Sequence, residues 1–218
     1  MDLGVENIAV TSTGVFWSAD ELYHWHREYE KRRASMQRKG TRYAHEAMKR
    51  VGETETNRFE QLLHRVANGI VREAVDSGCT HIAFEDLSDI RGRLADTERL
   101  HAWAFRRLFR YVSYKAEERG IAVERVNPEY TSQRCSHTNC GFIQATNRPT
   151  QDRFECQECG YQIHADYNAA KNIGFKLLRR LHKSSNGDAP VGVRMNAGMM
   201  TTSGVEARTE FGSSGSPW

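Results

Sequence analysis

The chain has no apolar run approaching the length of a membrane-spanning helix and no leader peptide at its start. Neither a helical membrane anchor nor a secretory route is therefore expected. It has no internal repeat, which excludes repeat architectures. It also has little net charge: 31 Lys plus Arg stand against 28 Asp plus Glu, formally +3, too small a balance to identify a partner. Cysteine is scarce, with five in 218 residues, and four of the five lie between Cys135 and Cys159. A chain with no secretion signal belongs in a reducing compartment, where disulfides are rare. An intracellular, cytoplasmic protein without a membrane partner is expected. Its length suits one compact domain carrying a small insert.

What is present begins with the cysteines. Cys135 and Cys140 form a C-x4-C pair, fifteen residues follow, and Cys156 and Cys159 form a C-x2-C pair. That spacing fits a zinc ribbon with one long loop, because two short-spaced pairs on facing turns supply the four corners a tetrahedral zinc requires. Gly141 and Gly160 each follow the second cysteine of a pair, where glycine turns the backbone sharply at no Cβ cost. Two disulfides or four scattered thiols are the alternatives. His137 and His164 lie nearby and are read as surface or nucleic-acid-facing side chains rather than ligands. Cys79 precedes an apolar strand and is read as a buried, inert thiol.

The chain otherwise alternates short β-branched runs with helical periodicity. Ile8–Thr13 and Val15–Ser18 flank Gly14 as a hairpin. Asp20 reads as an N-cap, with a helix from Glu21 to about Arg50 that Gly40 bends or splits. A second helix is expected from Thr54 to Asp76, on the spacing of Phe59, Leu62, Leu63, Val66, Ile70, Val71 and Val75, with Gly78 as its stop. Ile82–Phe84 form a short strand ending in Glu85 and Asp86. A third helix follows over about Thr97–Arg119, then a strand over Ile121–Val126. After the cysteines a last helix spans Asp166–Leu181. From Ser184 the composition turns to Ser, Gly, Asn and Met, and this tail is expected to be disordered and to stay off the core, with at most a short strand near Val191–Met195. Basic residues outnumber acidic ones from Arg27 to Arg50, with Trp25, Tyr29 and Tyr43 interleaved, and again from Lys171 to Lys183. Each stripe suits a phosphate backbone or, equally, a solvated helix face.

Three acids stand out by position: Asp2 ahead of the hairpin, Glu85 at the end of an apolar strand, and Asp166 at the head of the last helix. An acid ending a buried strand needs a partner, for which a metal ion is one candidate and exit into solvent is another. The order of elements matches an α/β, RNase H-like fold, a mixed sheet with flanking helices interrupted by the zinc ribbon. In such a layout Asp2, Glu85 and Asp166 would meet at one end of the sheet and hold Mg²⁺ or Mn²⁺ for phosphodiester cleavage.

The segments DLGVENIAV, HIAFEDLSDIRG, NPEYTSQRCSHTNCG and FECQECGYQIHADYNAAKNIG resemble the C-terminal half of the TnpB/OrfB transposon-encoded proteins, a family classed with transposases and related to type V CRISPR effector nucleases. The resemblance covers nearly all of residues 1–182. It implies a RuvC-type DNA nuclease of a mobile element, active in transposition and DNA recombination, with DNA as partner and a guide RNA as a further candidate. It implies Asp2, Glu85 and Asp166 as the catalytic, magnesium-binding carboxylates and Cys135, Cys140, Cys156 and Cys159 as structural zinc ligands. In that frame Asn168 supports Asp166. Residues 1–130 would form the first part of the nuclease core, 131–164 the ribbon, 165–183 the closing helix and 184–218 the tail.

The chain departs from the family pattern in two places. The first cysteine pair is C-x4-C where the family commonly has C-x2-C. The wedge and recognition regions that precede this segment in the family are absent, and only Met1 precedes Asp2. A truncated or decayed copy, or a late start in the gene model, is the expectation that follows, with Asp2 loosely held. The alternative function is a catalytically impaired remnant that serves only as a zinc-ribbon nucleic-acid binder.

Overall fold

The computed structural model describes residues 1–87, 96–184, 193–195 and 198–200. The hairpin expected around Gly14 forms from β1 (Asn7–Val10) and β2 (Phe16–Ser18), paired antiparallel. β3 (His81–Glu85) and β4 (Ala122–Val126) pair in parallel over five register positions, joined by α3 (Asp96–Glu117) as a strand–helix–strand unit. A parallel pair needs such a crossover because a tight turn cannot reverse the chain between its strands.

Residues 1–3 run between the two pairs. Asp2 and Val10 exchange both backbone hydrogen bonds at 2.9 Å, and the Met1 nitrogen donates to the Ala83 carbonyl at 2.6 Å. Asp2 is therefore paired and buried, which corrects the expectation that so short a leading segment would leave it loose.

Alternation along the strands decides what faces what. Met1 and Leu3, with Ile82 and Phe84, face a core built with α2 (Arg42–Asp76) and α3, where Leu63, Ile70, Leu108 and Val112 are buried. The residues between them turn the other way. Ala83 packs with Val126 against Ile173 and Leu177 of α4 (Ala165–Ser184). Asp2 and Glu85 follow the same alternation onto the α4 side.

The helices differ from the sequence reading in three respects. α1 (Asp20–Gln37) begins with Asp20 inside the helix rather than capping it, and the Asp20 N–H donates to the Ser18 hydroxyl. The break falls at Gly40, whose φ of +60° leaves the helical region, so residues 42–50 belong to a continuous 35-residue α2 capped by the Thr41 hydroxyl. Val75 is 44% exposed, and Ala67 and Ala74 take core positions on α2 instead. Cys79 is half-buried against the main core rather than fully enclosed.

Beyond α4, β7 (Val193–Met195) and β8 (Gly198–Met200) pair as a hairpin, so the short strand expected near 191–195 has a partner. The rest of the tail, and residues 88–95 after the E-D-L motif, lie outside the described residues. Among the described residues no helix is long and apolar enough to cross a membrane.

Candidate functional site

The cysteine knuckle is built from two turns and a small hairpin. β5 (Arg153–Glu155) and β6 (Gln162–His164) pair antiparallel, and Arg134 bridges to Ile143. Phe154, fully buried, packs with Cys135, Cys156 and Ala165. Gly141 and Gly160 have φ of +67° and +72°, the left-handed turns that the spacing required of them.

The four Sγ atoms all lie within 4.8 Å of one another, and Cys135–Cys159 and Cys140–Cys156 are each separated by 3.7 Å. Sulfurs bonded at about 2.3 Å to a tetrahedral zinc stand about 3.8 Å apart. A disulfide would require about 2.05 Å. The cysteines thus fit a four-coordinate metal ion and not a pair of disulfides. Burial pushes the Cys135 thiol up; it also acts upward at Cys156, but the backbone N–H groups of Cys159 and Glu158 together with the Cys159 and Cys140 thiols bring that thiol down to about 7. The histidines stay outside the set. His137 is exposed and stacks on Tyr161, and His164 accepts the Asp166 N–H at Nδ1.

The knuckle is fastened to α4 by asparagines. Asn168, fully buried, accepts the Ser136 N–H at 3.0 Å and donates to the Arg134 carbonyl at 2.8 Å. Asn172 donates to the Thr131 and Arg134 carbonyls. Asn147 donates to the Gln133 carbonyl and accepts the Gln157 N–H, which joins the two cysteine turns. Asn168 thus binds the ribbon's backbone, so any support it lends Asp166 runs through the ribbon and the first turn of α4.

Asp2, Glu85 and Asp166 converge on the rim where residues 1–3, the end of β3 and the first turn of α4 meet. Burial pushes the Asp2 carboxyl well above the usual range, and the adjacent Glu85, which also hydrogen-bonds it, and then Asp166 add to the shift. Glu85 Oε1 accepts the Leu3 N–H at 3.2 Å. Asp166, 5% exposed, is held from both sides: Asn7 Nδ2 donates to Oδ2 at 3.2 Å and Arg148 Nη2 to Oδ1 at 3.0 Å. Sequence reading did not single out Asn7, although it lies within the DLGVENIAV segment, 159 positions from Asp166, and it missed Arg148, 18 positions away.

Three carboxylates gathered where two of them, Asp2 and Asp166, are buried is a costly arrangement unless a cation offsets it. All-oxygen donors of this kind suit a hard divalent cation. The set is less tight than the knuckle: among the described residues the cysteines alone bring three or more ligating atoms all within 4.8 Å.

The basic stripe on α4 is largely engaged within the molecule. Lys176 donates to the Asn127 and Glu129 carbonyls, Arg180 to the Arg125 carbonyl and Glu124, and Lys171 lies over Tyr161 and Tyr167. The side chain of Lys183 lies outside the described residues.

Comparison with known proteins bears on both clusters. A family model described as Cas12f1-like, TNB domain, matches residues 105–173, which include the whole knuckle and Asp166. The CRISPR-associated endodeoxyribonuclease Cas12f1 of Sulfoacidibacillus thermotolerans is 40% identical over 172 residues, covering 74% of this chain and 40% of that protein. A TnpB-like protein of Aquifex aeolicus is 31% identical over 140 residues, 62% of this chain and 45% of that protein. The chain thus spans under half the length of these relatives. Among solved structures, the cryo-EM Cas12f1–sgRNA–target DNA complex aligns with a TM-score of 0.63 at 20% identity, over 78% of this chain and 47% of that one, a similarity of fold.

Proposed function

Because the chain belongs to the TnpB family and is related to the Cas12 proteins, we propose that it carries the metal-dependent DNA-cleaving half of such a nuclease, on an RNase H-like core. Asp2, Glu85 and Asp166 are the proposed divalent-metal ligands, and Cys135, Cys140, Cys156 and Cys159 the proposed structural zinc ligands. The observation that carries the reading is the burial of Asp2 against Glu85, with Asp166 beside them, from three segments far apart in sequence.

Mg²⁺ or Mn²⁺ bound there would supply Lewis-acid activation of water and stabilisation of a leaving 3′ oxygen. The protein's own part is positioning. Ionised carboxylates accept only, so their lone pairs are available to cations. Asn7 and Arg148 fix the Asp166 carboxylate in place, and the Leu3 N–H fixes one oxygen of Glu85. The zinc knuckle, joined to α4 through Asn168 and Asn172, braces the turn that presents Asp166. DNA is the proposed substrate, in keeping with the names of the relatives. A guide RNA is the proposed second nucleic-acid partner, in keeping with the solved Cas12f1 complex.

The test is cleavage of DNA by the chain in Mg²⁺ or Mn²⁺, with Glu85→Ala and Asp166→Ala as controls and zinc content measured on each. Both variants are expected to lose cleavage and retain their zinc. Undiminished cleavage by either refutes the carboxylate assignment. A wild-type chain that binds DNA but cuts none of it leaves the zinc-braced binder as the function.

A further inference from the structure

We propose that the tip of the α1–α2 helical hairpin is a docking arm for the phosphate backbone of duplex DNA, a surface separate from the carboxylate rim. The inference rests on the DNA-binding part of the function proposed above and not on its catalytic part.

The arm is defined by what it does not bury. Between Tyr29 and Glu55 the only buried residue is Ala44. The last eight residues of α1 and the first thirteen of α2 therefore stand off the core, a projection of about 12–20 Å at 1.5 Å per residue. Beyond Ala44 only Met36, Ala47, Met48 and Val51 are half-buried apolar residues, so the arm gains little from packing and must be justified by a partner, by ion pairs or by solvent alone.

Its charge favours a partner. From Arg27 to Arg50 there are nine basic and three acidic residues, a local +6 against +3 for the whole chain, so the remainder is net acidic and the positive field is concentrated on this arm. Ion pairing does not absorb it. Lys31 pairs with Glu28, Arg33 with Glu55 and Arg42 with Glu46, but Arg27, Arg38, Lys39, Lys49 and Arg50 have no carboxylate partner among the described residues. Tyr43, 84% exposed, sits beside the turn and offers a ring and a hydroxyl to a sugar–phosphate chain.

The chemistry also selects among anionic partners. A membrane surface would need an apolar face on the arm, and the exposed stretch around Gly40 has none. On the α4 stripe, in contrast, Lys171, Lys176 and Arg180 are spent on carbonyls and rings of their own fold.

The test uses the full chain with Arg38, Lys39, Lys49 and Arg50 all changed to Glu. All four are exposed, so helicity and zinc content should match wild type. Binding to a short DNA duplex is measured from about 50 to about 200 mM salt, with an RNA duplex of the same sequence and polyglutamate as comparison arms. Each side chain that reaches a phosphate contributes about 0.9 to the slope of log K against log salt, so the slope should fall by up to about 3.6. The proposal is overturned by an unchanged slope and affinity, by a loss confined to RNA, by polyglutamate binding as tightly as DNA, or by a wild-type chain that does not bind DNA. The arm is read by salt-dependent binding and the carboxylates by cleavage, so failure of the arm leaves the carboxylate reading intact, and failure of the carboxylates leaves the arm intact.

Discussion

Replacing Asn168 with alanine tests how the metal knuckle is fastened to the last helix. The side chain is fully buried and does two things: it accepts the Ser136 N–H at 3.0 Å and donates to the Arg134 carbonyl at 2.8 Å. The carbonyl is insured, since Asn172 still donates to it at 2.6 Å. The Ser136 N–H is not, because Ser136 is 3% exposed and water cannot reach it. A buried donor left without an acceptor costs about 1–3 kcal/mol, and the void left by the amide adds about 1 kcal/mol. The sum, about 2–4 kcal/mol, should lower the melting temperature by about 4–16 °C in a domain of this size. Asn168→Asp should be no better, because it keeps the acceptor but sets a carboxylate against the Arg134 carbonyl oxygen. Thermal denaturation of the zinc-loaded proteins measures the loss, and competition with a chromophoric chelator shows whether the knuckle releases metal more readily. If Asn168→Ala melts with wild type and keeps its zinc while losing divalent-cation affinity at the carboxylates, the hydrogen bonds to the ribbon are not what this residue is for.

Gly141→Ala and Gly160→Ala should each weaken zinc retention, because both backbones hold φ near +70°, where a Cβ costs about 1–2 kcal/mol. At Gly141 the new Cβ would also lie 2.5 Å from the tip of Arg134, a flexible group able to move, so similar losses at the two sites would identify backbone strain as the cause and a much larger one at 141 the clash. His101 is buried with Nδ1 unpartnered, and burial, then His26, lowers its pKa below 6.5. The unfolded chain then binds the extra proton first, so stability is full above about pH 6.5 and falls as the pH drops below it toward the lowered folded value. The difference in melting temperature between wild type and His101→Gln should shift against wild type on acidification, and a pH-independent difference would refute the assignment.

What the sequence made legible was local. Zinc-ligand spacing is a property of two short turns, so Cys135, Cys140, Cys156 and Cys159 could be grouped without a fold. The carboxylates were picked out through element order and the family resemblance, because nothing near Asp2 or Glu85 specifies that they meet. Side chains that act at long range were not legible: Asn7 reaches Asp166 across 159 positions, and Asn172 reaches Thr131 across 41. The α4 lysines and arginines show the same limit from the other direction. Composition cannot tell a lysine that donates to its own fold's carbonyls, as Lys176 does, from one that faces a phosphate. Gly40 was visible as a break, but periodicity alone did not show that α2 starts at Arg42 and runs unbroken through Gly52.

α4 is the element through which the two clusters depend on each other. One face packs Ile173 and Leu177 on β3 and β4, its first turn carries Asp166, and Asn168 and Asn172 hold the knuckle. Arg148, which pairs with Asp166, lies in the ribbon itself. Structural zinc in small knuckles supplies about 10–16 kcal/mol of apparent binding free energy, more than so small a hydrophobic cluster around Phe154 could replace. Chelation should therefore release residues 131–164. With them go the partners of Asn168, Asn172 and Asp166, so the first two turns of α4 should lose protection while its Ile173–Leu177 stretch stays docked. Amide hydrogen exchange before and after chelation separates the outcomes. Exchange that spreads from the ribbon into residues 165–172 and spares α2 and β3 shows that zinc sets the position of Asp166. Protection retained through residue 165 would mean that α4 holds its carboxylate without the knuckle, and that the ribbon serves the nucleic acid alone.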